Sequence, residues 1–220
     1  MRKTQRARAI PISDAATNAQ THSLIAHRRA LVAQLREEIG VRERPAGRAV
    51  LVILMGLPGV GKSHCARLLA EALGGAHVAT DHLRSRLFIA ASYADAENAA
   101  VFGIAEALVD ELLGEGHVVV LDATHLIARN RAPAESVAKR RGAALFHVLV
   151  TADDGEVRAR LESRSRERAP GDHSDADVRV YERMRVRDFE PPATGHLEIR
   201  NNATFVDEVA RVADVIRGQA

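Results

Sequence analysis

Gly56-Leu57-Pro58-Gly59-Val60-Gly61-Lys62-Ser63 is the stretch whose reading decides the fold. Its spacing, G-x-x-x-x-G-K-[ST], is that of a loop that wraps phosphate in backbone N–H groups. The seven residues before it, Ala49 to Met55, form an unbroken apolar run of strand length. Such a run suits a strand buried on both faces. Beyond the loop, Cys65, Ala66, Leu68, Leu69, Ala72 and Leu73 recur at helical spacing. The order strand, glycine loop, helix is the one the chemistry needs. Glycine lets phosphate approach the main chain, and successive N–H groups then form an anion nest at the positive end of the helix. Lys62 reaches the β- and γ-phosphates as a point charge, and the Ser63 hydroxyl holds Mg²⁺. The nucleotide-binding set is therefore Gly56, Leu57, Pro58, Gly59, Val60, Gly61, Lys62, Ser63 and His64. A chance glycine turn before a helix is the bland alternative, and the full match with both flanks in place argues against it.

Composition narrows the class further. The 220 residues suffice for one α/β domain with an appendage. Aromatic residues make up only 3% and Trp is absent, so Leu, Val, Ile and Ala must fill the core. Thirty-one Lys and Arg against 29 Asp and Glu leave a formal charge of +2, too small an excess to imply a broad nucleic-acid surface. The single cysteine, Cys65, cannot form an internal disulfide and reads as a small buried packer. No stretch reaches the ~18 apolar residues of a membrane span. The Arg-rich start, Met1 to Arg8, lacks the apolar core of a secretory signal. A cytoplasmic protein is expected.

Along the chain, residues 1–20 are polar, basic and aperiodic, and predict a mobile tail. Residues 21–48 hold one amphipathic helix, Ser23 to Ile39, ended by Gly40, and a connector with Pro45 and Gly47. Residues 49–220 form the main domain. Apolar strand patterns are expected at 76–79, 117–121, 144–150 and 196–200. Helical patterns are expected at 83–91, 98–113, 128–141, 153–165, 175–188 and 204–216, with Asp153 or Asp154 capping the fourth of these. Arginines crowd 164–168 ahead of Pro170-Gly171, which predicts a mobile lid at about 164–174. Short apolar strands alternating with helices imply a parallel sheet covered on both faces.

Ligands of such sheets sit at the carboxyl ends of the strands. Asp81 and Asp122 fall there with the glycine loop. Asp122 ends an apolar strand and would act on Mg²⁺ beside Ser63, directly or through water; a plain turn aspartate is the alternative. Asp81 could accept the proton of an incoming hydroxyl while Arg84, one turn on, holds an acceptor phosphate or the Asp81 side chain. Its alternative is a helix N-cap with an ordinary surface arginine. Among Arg160, Arg164, Arg166 and Arg168, one could reach a γ-phosphate with its planar fork, or all could belong to a solvated helix end. The ten histidines form no metal set. His77, His117 and His147 read as packing or surface residues, whereas His82 and His125, beside the site aspartates, read as candidate substrate contacts.

Taken together, these residues resemble the polynucleotide 5′-kinase-like branch of the small P-loop kinases. This AAA-type group is similar in outline to gluconate kinases, chloramphenicol phosphotransferases and zeta-toxin proteins. The resemblance covers about Ala49 to Ile216. It implies an α/β three-layer sandwich, with a five-stranded parallel sheet in the order 2-3-1-4-5 and an Arg-rich lid. Thr80-Asp81-His82-Leu83-Arg84 resembles the family's D-x-x-R, which implies Asp81 as acceptor base and Arg84 as acceptor contact. Leu121-Asp122-Ala123-Thr124 resembles its D-A-T strand end. Arg131 stands where a nucleotide-contacting arginine follows, and Arg164 or Arg168 would be the lid arginine on phosphate. Phe189-Glu190-Pro191 resembles a further family motif. His125 stands where asparagine is frequent.

The activity implied is transfer of the γ-phosphoryl of ATP, with Mg²⁺, to a hydroxyl. The acceptor could be a nucleic-acid 5′ end, a sugar, a nucleoside or an antibiotic. An NTP-dependent ATPase or switch is the competing class, although neither an N-K-x-D nor an S-G-G signature is found. A degenerate nucleotide-binding module is a third, opposed by intact Lys62, Ser63, Asp81 and Asp122. Neither the acceptor nor the oligomeric state is written in the sequence.

Overall fold

The computed structural model describes residues 28–40, 48–89, 91–166 (164–166 by backbone alone), 178–186 and 189–220. The tail over 1–20 and the lid from 167 to 174 lie outside them. The elements in chain order are α1 (Arg28–Ile39), β1 (Val50–Met55), α2 (Lys62–Leu73), β2 (Ala76–Ala79), α3 (Thr80–Leu87), α4 (Asp95–Gly114) and β3 (Val118–Asp122). There follow α5 (Ala128–Arg141), β4 (Ala144–Ala152), α6 (Asp154–Arg166), α7 (Val178–Arg185), β5 (Leu197–Asn201) and α8 (Phe205–Gln219). All strand pairs are parallel and the sheet order is β2-β3-β1-β4-β5, as expected.

β1 shows why its sequence is apolar throughout. All six residues are buried. Leu51 and Ile53 join one cluster, with α4 residues such as Leu108 and Leu112 and with Val137 of α5. Val50, Val52 and Leu54 join the other, with Leu69 of α2 and Val209 and Val212 of α8. The period of two along the strand thus feeds two separate helical layers. Val32 and Leu35 bring α1 onto the first cluster. Its charged face is tied down by Arg36 to Glu111 and Glu115 and by Glu38 to Arg86.

Element limits differ from expectation mainly at α3. The helix begins at Thr80, three residues early, so Asp81 lies in its first turn. It ends at Leu87 because Phe88 swings into extended geometry and buries its ring in the core, leaving Ile89 fully exposed. Of the two candidate caps of α6, Asp153 does the capping, accepting from Gly155 N at 2.9 Å. Asp154 instead accepts from the Tyr181 hydroxyl of α7 at 2.5 Å.

Candidate active site

The glycine loop leaves β1 and enters α2 with positive φ at Gly56, Gly59 and Gly61 (149°, 80° and 98°), angles that other residues adopt only with strain. The glycines are also needed for protein contacts made from outside the loop. A Cβ on Gly61 would run into the Asn201 side chain at the end of β5. One on Gly59 would stand 2.9 Å from Leu161 and 3.0 Å from Val157 of α6. Asn201 Nδ2 donates to Val60 O at 2.8 Å, and Gly56 N donates to Thr124 O at 3.1 Å. Lys62 lies across the loop, its Nζ donating to Leu57 O at 2.8 Å. The Asn201 clamp was not foreseen: Asn201-Asn202 reads locally as a turn, and its partner is 141 residues away.

Asp122 lies at the end of β3, with a side chain only 5% exposed. Burial alone would raise its pKa. Hydrogen bonds from His77 and Ser63 and the charges of His77 and Lys62 outweigh that, and the net shift is downward. Asp122 is thus a buried carboxylate held ionised between the loop and β2. His77 Nε2 lies 3.2 Å from Asp122 Oδ2, and the Thr80 hydroxyl donates to Asp122 O at 3.2 Å. His77 was expected to pack or to face solvent; its bond to Asp122 crosses 45 residues. Asp81 is half-buried, in the first turn of α3. It follows by two residues Ala79, the register partner of Asp122.

Arg84, expected on an acceptor phosphate or on the Asp81 side chain, is engaged within the protein. It is buried and ion-paired with Glu97, a fully buried residue of α4. It also donates to Asn98 Oδ1 at 2.8 Å and lies over the Tyr93 ring, 4.4 Å from its centre. Glu97 further accepts from Ser92 N at 2.8 Å and Ser92 Oγ at 2.6 Å. Burial pushes the Glu97 carboxyl up, but these donors and Arg84 pull it down further. The guanidinium therefore joins α3 to α4.

Arg131, expected on the nucleotide, is likewise engaged within the protein. It is 1% exposed. Its Nη1 donates to His125 O at 2.8 Å and its Nη2 to Glu190 O at 2.7 Å. Glu190 in turn donates its N–H to Leu126 O at 3.0 Å and accepts from Ala128 N at 2.6 Å. The Phe189-Glu190-Pro191 motif is thus stitched to the turn that follows Asp122. His125 is also buried rather than open to substrate, at φ 43°, with Nδ1 3.3 Å from Leu54 O. A carbonyl only accepts, so Nδ1 carries the proton. Burial lowers its pKa to about 4, against a smaller opposing effect of the bond to Leu54.

The remaining expected residues are His64 of α2 and the arginines at and beyond α6. His64 is exposed on the first turn of α2, its ring 5.3 Å from that of Phe205. Arg160 pairs with Glu156 at 2.7 Å on the surface. Arg164 belongs to α6 by its backbone, and Arg168 lies outside the described residues. The residues present fit a magnesium nucleotide. Positive φ at Gly56, Gly59 and Gly61 gives the loop the backbone turn an amide cradle for phosphate needs, and Ser63 with Asp122 offers the hard oxygen donors Mg²⁺ prefers.

Among known proteins, an uncharacterized protein of Mycobacterium tuberculosis (strain H37Rv) is 30% identical over 158 residues, covering 66% of this chain and 30% of its own length. An uncharacterized protein of Mycobacterium bovis matches equally. The chain thus spans about a third of the length of these relatives. Among solved structures, Chaetomium thermophilum Kti12 in complex with ADP-AlF3 superposes with a TM-score of 0.63 at 22% identity, over 76% of this chain and 97% of its own. Mycobacterium tuberculosis APS kinase CysC, in complex with AMPPNP and APS, gives 0.59 at 22% identity, over 78% and 99%. A Sinorhizobium meliloti gluconokinase gives 0.50 at 18%, over 81% and 99%. These likenesses establish a P-loop kinase-like fold. The AAA domain profile matches residues 51–192, from β1 to just beyond the Glu190 segment, and this chain belongs to that family.

Proposed function

We propose that the chain is an ATP- and Mg²⁺-dependent phosphotransferase that moves the γ-phosphoryl of ATP to a hydroxyl acceptor. It would act either as a polynucleotide 5′-kinase-like enzyme or as a small-molecule kinase of the zeta-toxin-like group. One juxtaposition carries the reading. The buried, ionised Asp122 stands with Ser63 and Lys62 at the mouth of a phosphate cradle, and Asp81 follows two residues beyond its strand partner.

In this reading the loop amides and Lys62 hold the β- and γ-phosphates and draw off their charge. His64 lies in the first turn of the helix beside them. Asp81 takes the acceptor's proton as the acceptor oxygen attacks the γ-phosphorus. The bond from that phosphorus to the β–γ bridging oxygen breaks, and ADP leaves. Mg²⁺ would be held by Ser63 and, through water, by Asp122, and would supply neutralising charge on the phosphate oxygens. Arg164 or Arg168 would meet the transferring phosphoryl. Arg84 and Arg131 act by positioning: the first fixes the helix that carries Asp81, the second the turn after Asp122.

Purified protein with γ-labelled ATP, screened against oligonucleotide 5′-hydroxyls, sugars, nucleosides and antibiotics, tests the proposal. Mg²⁺-dependent labelling of one acceptor class is expected. Full-rate ATP hydrolysis with no acceptor present would assign the chain to the ATPase class instead.

A further inference from the structure

We propose that His77 is the positioning residue of the site: it fixes the Asp122 carboxylate and thereby sets how strongly Mg²⁺ supports nucleotide binding. The inference rests on the functional reading above and adds a residue to it.

In β2, Ala76 and Val78 are buried in the cluster under α4, so His77 and Ala79 point to the opposite face. Their register partners on β3 are Val120 and Asp122, and Val120 packs in the cluster under α2. His77 therefore stands one residue pair behind Asp122, on the face covered by the helix that begins with Lys62 and Ser63. Its Nε2 donates to Asp122 Oδ2 at 3.2 Å, and its side chain is only 22% exposed. Thr80 holds the main-chain oxygen of Asp122 at 3.2 Å, and the Ser63 hydroxyl bonds to its carboxylate. Two donors on the carboxylate and one on its backbone leave little freedom to rotate. His77 is the only one of these that belongs neither to the loop nor to α3. Partners that orient a metal-shell carboxylate in this way are worth about 10- to 100-fold in metal affinity.

Titration calorimetry of the full chain with AMPPNP, over a range of Mg²⁺ concentrations and below each variant's melting temperature, reads this directly. His77→Phe keeps the ring and removes the donor; His77→Gln keeps a donor. In His77→Phe, the Mg²⁺ concentration giving half the enhancement of AMPPNP affinity is expected to rise about 10-fold or more. Metal-free AMPPNP affinity should stay within about 2-fold, and His77→Gln should recover most of the loss. An unchanged Mg²⁺ requirement in His77→Phe, whatever happens to its melting temperature, overturns the inference and leaves the functional reading standing. Wild-type protein that does not bind AMPPNP overturns both.

Discussion

The glycine loop and the corner between α3 and α4 both carry residues of the candidate site, yet they are held by opposite means. The loop is held through main chain: Val60 O by Asn201, Gly56 N by Thr124, and Gly59 by the apolar side chains of Leu161 and Val157. The corner is held through side chains, by a buried ion pair of Arg84 with Glu97, two bonds from Ser92, one to Asn98 and a cation over Tyr93. Backbone constraints tolerate only certain residue types, so they mark the sequence. A buried ion pair uses ordinary charged residues, and in the sequence these look like a solvated face. The loop should therefore govern nucleotide affinity, and the corner should govern turnover and stability.

The hardest test of that division falls on Asp81. Asp81→Asn keeps the size of the side chain and removes its basicity. General-base catalysis contributes about 10²- to 10⁴-fold, so γ-phosphoryl transfer should fall by that range while AMPPNP affinity, measured by calorimetry, stays near wild type. Equal turnover in the variant would remove Asp81 from the chemistry.

Next in size is the pair behind it. Glu97→Ala leaves the buried Arg84 guanidinium without its anion, and removing one partner of such a pair costs about 3–5 kcal/mol. Urea unfolding measures that cost. The double variant Arg84→Met/Glu97→Leu removes both charges and should recover most of the stability, because apolar replacement of a buried pair is often neutral. If Arg84 only positions α3, the double variant keeps part of its transfer activity. If Arg84 reaches the acceptor, a stable but inactive protein results.

These contrasts explain what could be read from the sequence. All five strands and the loop were legible, because continuous apolar runs and glycine spacing report burial and backbone geometry directly, whereas the strand order came from the family resemblance. The place of Asp122 was legible because an acid that closes an apolar run marks the end of its strand. The partners of the arginines were not. Arg84 and Arg131 resemble motif positions, but the motif does not say that Glu97, 13 residues on, takes the first. Nor does it say that the carbonyls of His125 and Glu190 take the second. Buried Glu97 lies among apolar helix positions and breaks their pattern without announcing a partner. His77 and Asn201 were missed for the same reason: each acts across long sequence separation, through one polar bond to a residue of the site.

A pH scan reaches the turn after Asp122, whose Thr124 carbonyl accepts from Gly56 N. His125 is buried neutral beside Leu54, with a folded pKa of about 4 against 6.5 for the free side chain. Its folded value is the lower one, so the unfolded chain binds the extra proton first. The stability it supports is complete above pH 6.5 and is lost as pH falls from 6.5 toward 4, with a limiting slope of about 1.4 kcal/mol per pH unit. Melting curves between pH 7 and 5 should show the decline, and His125→Asn should flatten it. A decline unchanged in that variant would assign the effect to other groups.

The smallest expected effect tests whether the clamp on the loop matters to its ligand. Asn201→Ala removes one donor and leaves the Val60 carbonyl unpaired, a loss of about 1 kcal/mol or a little more. Asn201→Asp keeps the shape but cannot donate when ionised, and it brings an anion to the cradle that must take phosphate. If the loop is merely supported by β5, both variants should lose stability and show similar AMPPNP affinity. If β5 tunes the field within the cradle, Asn201→Asp should bind AMPPNP more weakly than Asn201→Ala, and raising ionic strength should narrow the gap by screening the added charge. A gap that salt does not narrow would mean that loop shape, and not charge, passes from β5 to the nucleotide.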